Sequence, residues 1–304
     1  MLAPVARRAG GPAGSQAPAS PVLPVALAVG LFVLISAAAL TLFHLRGQTI
    51  LYGDAEAHLN IARRALDSRT PGAAQLGTAW LPLPHLLMLP FAAQDALWRS
   101  GLAGAIPAAA GFVIAGGFLF AATRRLFGGA AAFAAAGLFA LNPNLLYLQS
   151  SAMTEPIFMA GLTAILYYTL AERPLAAGLA ALAASLTRYE GWFLIPFVAL
   201  YFVVSGLAAS ARKQALARAL VFGAVASLGP LLWLAHNRWH FSDALAFYLG
   251  PYSARAIQGS APYPGKGDWA QAWLYFRSAA VLCLGRPLAW LALAGVAAAL
   301  WRRA

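Results

Sequence analysis

The sequence is short of charge, and shorter still of acid. Only 10% of its 304 residues are charged, against about a quarter in an ordinary soluble domain. With 61% apolar residues and a mean hydropathy of +0.70, that deficit excludes a soluble globular domain. It excludes a disordered chain too, since disorder needs low hydrophobicity and high net charge. A single cysteine, Cys283, excludes an internal disulfide and any Cys/His metal cluster around it. No Asn-x-Ser/Thr acceptor for glycosylation is present. Nine acids stand against 21 Lys and Arg, a net charge of +12. The bases fall in short clusters between apolar runs, so membrane topology accounts for them and a nucleic-acid partner is not expected.

What the chain does have is a series of long apolar runs. The first twenty or so residues, with Arg7 and Arg8 among Gly, Pro, Ala and Ser, read as a flexible tail over 1–23. Pro24 to Phe43 follow without a charge, long enough to span a bilayer and read as an uncleaved first span. Further runs lie at 102–122, 129–148, 156–171, 174–187, 191–207, 217–235 and 286–301. The run 81–97 is interrupted by Pro82, Pro84, Pro90, His85 and Asp95. If it does not span and the N-terminus is cytoplasmic, the inner side carries ten bases and one acid. The outer side then carries eleven bases and eight acids. Letting it span would turn every later basic cluster outward, against the positive-inside rule. The expected fold is therefore an all-α polytopic membrane protein with about eight transmembrane helices. Residues 81–97 and 269–284 are expected as juxtamembrane helices in the outer interface. The expected membrane domain is 24–304, with outer loops 44–101 and 236–285. The chain would be multi-pass in a cell (plasma or inner) membrane, with both termini cytoplasmic.

This topology gathers the polar chemistry on one face. Eight of the nine acids fall outside, and the long loops lie there as well, where function concentrates. In LTRYEGW, Arg188, Tyr189 and Glu190 follow a run of 14 residues, which rises only about 21 Å as a helix. The charges should lie below the outer surface, as a binding pocket or as a structural ion pair. In SSAMTEPIF, Thr154 and Glu155 precede Pro156 and read either as a helix cap or as a pocket wall. In YGDAEAHLN, just after the first span, Asp54 and His58 share one helical face, while Glu56 and Asn60 share another. Asp54 and Glu56 could be solvated carboxylates, a general base, or oxygen ligands for a divalent cation. The second outer loop supplies Tyr248, Tyr252, Tyr263, Arg255 and Lys266, and Arg and Lys are natural phosphate partners. Seven of nine tryptophans lie on or near the outer side, more than interfacial anchoring at both faces predicts, and sugar stacking could use them.

In their order and sidedness, GDAEAH after the first span, WLPLPH, TRRLFGG, NPNLLYLQSSAMTEP and TRYEGW resemble the GT-C superfamily of membrane glycosyltransferases. That superfamily includes protein O-mannosyltransferases and the lipid A aminoarabinose transferase. The resemblance runs from the first span to about residue 207. It implies transfer, with inversion, of a sugar from a polyprenyl-phosphate carrier to a lipid, glycan or protein acceptor on the outer face. It also places the essential acid at Asp54 with Glu56 as companion, although the family often has two adjacent acids and here Ala55 intervenes. His58, Glu155, Arg188, Tyr189, Glu190, Tyr252, Arg255 and Lys266 would bind substrate. A divalent cation at Asp54 and Glu56 is possible, and no other cofactor is expected. Two other readings compete, a transporter or flippase of lipid-linked sugars and a non-catalytic subunit that binds them. The sequence has no internal repeat, and 129–141 is uncharged, which suits an interfacial enzyme better than a transporter.

Overall fold

A computed structural model describes residues 22–208, 211–259, 261, 263 and 265–301. The polar tail expected over 1–23 therefore lies almost wholly outside the described residues. Among the described residues every regular element is helical. The order is α1 (Val22–Leu45), α2 (Gly53–Leu66), α3 (Leu83–Ala92), α4 (Asp95–Arg99), α5 (Leu102–Phe127), α6 (Gly129–Ala140), α7 (Pro143–Leu148) and α8 (Glu155–Leu170). It continues with α9 (Pro174–Ser185), α10 (Glu190–Ala208), α11 (Arg212–Ala226), α12 (Leu228–Phe241), α13 (Ala246–Leu249), α14 (Ala254–Gln258), α15 (Trp269–Leu284) and α16 (Arg286–Trp301). The chain divides into two compact units, Met1–Ser253 and Ala254–Ala304.

Three helical stretches are long and apolar enough to cross a membrane: Pro24–Leu45, Leu102–Phe127 and Arg212–Phe241, the last made of α11 and α12 in succession. A fourth results if α15 and α16, bent by 104° at Gly285, count as one span. The other apolar helices of the first unit, α3, α6, α8, α9 and the stretch Glu190–Gly206 of α10, have 10–17 residues. The expected run 129–148 breaks into α6 and α7 because Asn142 caps α7. Its Oδ1 accepts from the N–H groups of Asn144 (3.0 Å) and Leu145 (3.3 Å), with Pro143 at the first helical position. The ambiguous run 81–97 becomes two short helices, α3 and α4.

In the first unit, α5 is the element around which the others pack. It is bracketed by Gly101 and Gly128, with φ of 80° and 86°, where an L side chain is strained. Gly104, Ala108, Gly111 and Ala115 repeat at helical spacing and are all buried. This stripe lets the backbone of 152–157 approach directly. A side chain at 111 would meet the Ile157 nitrogen at 2.8 Å and the Pro156 carbonyl carbon at 2.9 Å, and one at 104 would overlap Ala152. On the opposite flank Phe112 and Phe32 meet edge to face at 5.6 Å. Small residues of this kind are the usual means of packing helices where lipid removes the hydrophobic drive between them. A second polar tie crosses the bundle: Ser36 Oγ donates to Gln149 Oε1 at 2.7 Å, and Gln149 Nε2 donates to Ser150 Oγ at 2.7 Å. All of these are buried, so each is satisfied within the protein as an apolar solvent demands.

Arg63 locks α2 onto α3 and α4. Its guanidinium donates to the Ala92 carbonyl (2.9 Å), pairs with Asp67 (2.9 Å) and Asp95 (2.7 Å), and lies 5.2 Å from the Trp98 ring centre. Because those carboxylates are largely exposed, we expect Arg63→Ala to cost about 1–3 kcal/mol rather than the full toll of a buried pair. The check is a lowered melting temperature in detergent, together with earlier proteolytic cutting between α2 and α3.

The second unit holds α14, α15 and α16. None of the three has a buried residue. Asp268 caps α15, its Oδ1 accepting from the N–H groups of Ala270 (2.9 Å) and Gln271 (3.0 Å).

Candidate functional site

The TRYEGW turn is the anchor of the candidate site. α9 ends at Ser185, whose carbonyl accepts from Trp192 Nε1 at 2.8 Å. A side-chain carbon at Gly191 would lie 2.7 Å from the backbone of Ala184 and Ser185, so only glycine fits there. The turn is thus drawn tight, and its three polar side chains point away from it. Tyr189 donates its hydroxyl hydrogen to the Ala79 carbonyl (2.9 Å), accepts from Trp233 Nε1 (3.0 Å), and stacks on Phe247 at 5.1 Å. The Leu83 N–H donates to the Leu186 carbonyl (2.9 Å), and His236 Nε2 lies 3.1 Å from the Gly77 carbonyl oxygen. Residues 77–83 are therefore held along the turn, and Trp80 falls over the His58 ring with centres 4.4 Å apart.

Arg188 is fully engaged. Nη1 donates to Glu155 Oε1 (2.8 Å) and Thr154 Oγ1 (3.3 Å), while Nε and Nη2 donate to Glu190 Oε1 (3.2 and 2.9 Å). Burial alone would lower its pKa, but the hydrogen bonds and charges of Glu190 and Glu155 outweigh that and raise it. The two acids and one base carry a net −1, so this cluster is a clamp before it is a cation site. Its partners differ in access: the Glu155 side chain is 28% exposed and that of Glu190 is 60%. Glu155 Oε2 is buried without a hydrogen-bond partner among the described residues. Of the two readings of Thr154, the structure places it at the N-cap position of α8, where its carbonyl accepts from the Phe158 N–H at 3.0 Å. Its side chain makes no capping bond and instead accepts from Arg188.

Across from this clamp stands the start of α2. Asp54 and Glu56 occupy its exposed first turn, and His58 is buried one turn later. His58 Nδ1 and His85 Nε2 are 2.8 Å apart, so one ring donates to the other. Burial lowers the His58 pKa to about 4, with the Asp54 carboxylate raising it somewhat and the Arg188 charge lowering it. Burial likewise takes His85 to about 3, helped by His58 and Arg64 and opposed by the Leu81 backbone. Asp54, His58 and Arg188 thus share one electrostatic neighbourhood. A titration follows from the pair. Between pH 6.5 and 4 the unfolded chain binds protons that the folded one refuses, so stability falls as pH falls through that window. His58 alone would lose on the order of 3 kcal/mol. Melting temperatures taken from pH 7.5 down to 4.5 should decline, and less steeply in His58→Gln; a flat profile would contradict the neutral pair.

The nine acids separate cleanly. Asp67 and Asp95 pair with Arg63, Glu172 with Arg218 (3.0 Å), and Glu155 and Glu190 with Arg188. Asp243 accepts from the Leu245 N–H and Asp268 caps α15. The side chains of Asp54 and Glu56 make no hydrogen bond or ion pair with any described residue. As oxygen donors for a cation they lack companions: among the described residues no group of three His, Cys, Asp or Glu could hold a metal ion.

No family model, no curated protein and no solved structure matches this chain. The functional reading therefore rests on its own side chains.

The structure brings together Asp54, His58, Glu155, Arg188 and Glu190 from α2, the start of α8 and the 186–190 turn, with Tyr189 beside Arg188 in that turn, whereas Glu56 makes no contact with this group. Tyr252 is exposed in the loop after α13. Arg255 on α14 and Lys266 belong to the second unit, where Lys266 Nζ lies 5.8 Å from the Tyr263 ring centre. Sequence reasoning missed His85, Trp80 as a ring over His58, and Thr154 as an Arg188 ligand. The WLPLPH motif held the first two, but nothing in its spacing points across 27 residues to His58.

Proposed function

We propose that this chain is a GT-C-type membrane glycosyltransferase, moving a sugar from a polyprenyl-phosphate carrier to an acceptor hydroxyl on the outer face of the membrane. The observation that carries the reading is the division of the acids. Seven of nine are held by structural partners, while the side chains of Asp54 and Glu56, both in the first turn of α2, are held by none among the described residues. Carboxylates with no structural duty are the ones free to accept a proton.

In this mechanism Asp54 takes the proton of the acceptor hydroxyl as its oxygen attacks the anomeric carbon. The bond from that carbon to the phosphate oxygen breaks, and the polyprenyl phosphate leaves with the electron pair. Inversion follows from attack opposite the leaving group. Arg188 receives the developing negative charge by exchanging the more exposed of its partners, Glu190, while Glu155 and Thr154 hold the guanidinium in place. Trp80 offers a ring face to the sugar. Neutral His58 sits beneath, without a positive charge that would compete for Asp54. Eight spans, both termini inside, complete the proposal, with the short helices α8, α9 and α10 crossing as a packed group whose ends dip below the surface. Arg255, Lys266 and Tyr252 are proposed to bind the donor phosphate and sugar.

The test is transfer of label from radiolabelled polyprenyl-phosphate sugars in proteoliposomes. Product formation is expected. Labelled lipid retained without any product would replace this reading with that of a carrier-binding subunit, and movement of label across the bilayer without transfer would favour a flippase.

A further inference from the structure

The elbow between α15 and α16 forms a concave feature in the second unit, and it is built from an unusual mixture. A pocket of about 360 Å³ is lined by Leu274, Val281 and Leu282 together with Arg277, Ser278 and Arg286. Gly285, at φ 75°, makes the corner, its N–H donating to the Val281 carbonyl at 2.8 Å. Two arginines thus converge on a pocket whose remaining wall is mostly aliphatic.

Three facts make these cations demand an anion. First, apart from Gln271, Arg277, Ser278 and Arg286 both helices are almost wholly apolar and none of their residues is buried, with Trp273, Phe276, Leu282 and Trp290 all largely exposed. Such a surface belongs in lipid, where an unneutralised charge is costly. Second, neither Arg277 nor Arg286 has an ion-pair partner among the described residues. Third, Arg286 opens the first turn of α16, a helix of 16 residues, so its charge opposes the positive end of the helix dipole. An anion at the elbow would relieve all three at once. It would neutralise both guanidinium groups, accept from Ser278, and face the Arg286 and Leu288 N–H groups, since Pro287 has none and the Ala289 N–H donates to the Gly285 carbonyl at 3.1 Å. The 104° bend adds the placement: with α16 upright, α15 lies close to the membrane plane, and the corner falls at the depth of phosphate headgroups.

We propose that the α15–α16 elbow is a binding site for the phosphate group of an anionic lipid, whose tails lie along the exposed Leu274 and Leu282 side. The site stands apart from the transfer reaction proposed above, and its test reads binding rather than turnover.

The experiment uses the full chain in phosphatidylcholine nanodiscs containing phosphatidic acid as the probe, with native mass spectrometry of the lipid retained after release. Wild type should retain phosphatidic acid over phosphatidylcholine by about tenfold, as two charge-assisted contacts allow, and R277Q/R286Q should lose that preference. The single variants R277Q and R286Q, each with intermediate retention, serve if the double variant fails to fold. Equal retention by wild type and variants would overturn the proposal. So would displacement of the lipid by inorganic phosphate at the same concentration, which would assign the pocket to the free ion.

Discussion

Asp54→Asn is expected to reduce sugar transfer by about a thousandfold while leaving the protein folded and the donor lipid bound. The size follows from the role: a positioned general base contributes roughly a hundred- to ten-thousandfold, and the amide keeps the shape but cannot take a proton. The folded state should tolerate the change because the Asp54 side chain makes no hydrogen bond or ion pair with a described residue. It also lies at the exposed start of α2, where losing a favourable dipole interaction costs a few tenths of a kcal/mol to about one. Glu56→Gln should have the smaller effect, since Glu56 is turned from the His58 and Arg188 face. The measurement is single-turnover transfer in proteoliposomes beside lipid retention and melting temperature. Full activity in Asp54→Asn would end the assignment of the base.

The largest structural effect is expected from Gly111→Val. Its first side-chain carbon would sit 2.8–2.9 Å from backbone atoms of Pro156 and Ile157, and backbone cannot swing aside as a side chain does. Overpacking of this kind typically costs about 1–3 kcal/mol and occasionally more; the upper end is expected here because a branched side chain must push α5 and α8 apart. The damage should also reach the site, since α8 begins at Glu155 and displacing it from α5 moves the carboxylate that holds Arg188 at 2.8 Å. Gly223, where a side-chain carbon would meet nothing within 4 Å, supplies the control: Gly223→Val should change little. Melting temperatures and transfer rates of both variants decide the point, and equal stability of the two would contradict the close-packing account.

Much of this arrangement is legible in the sequence wherever it is local. An uncharged run after Pro24 and another after Gly101 read as spans, and α1 and α5 have that length. The row Asp54, Glu56, His58 reads on helical spacing, and α2 carries it. The contacts that join these pieces are not legible, because each is made between distant residues. Arg188 meets Glu155 33 positions away, Tyr189 reaches back 110 positions to Ala79, and His58 finds His85. No periodicity encodes such pairings. The short helices are hard for a different reason. A run counted by apolar residues ignores where a cap or a proline ends the helix, as Asn142 and Pro143 do.

The division between acids that hold the fold and acids that hold nothing has a consequence for how this chain tolerates change. At Gly104 and Gly111 only glycine fits beside the neighbouring backbone, so substitution is barred there whatever the protein does. At Asp54 and Glu56 the fold imposes no such demand, and a chain relieved of its task could drift freely at both. Constancy at the first pair would report architecture; constancy at the second would report chemistry.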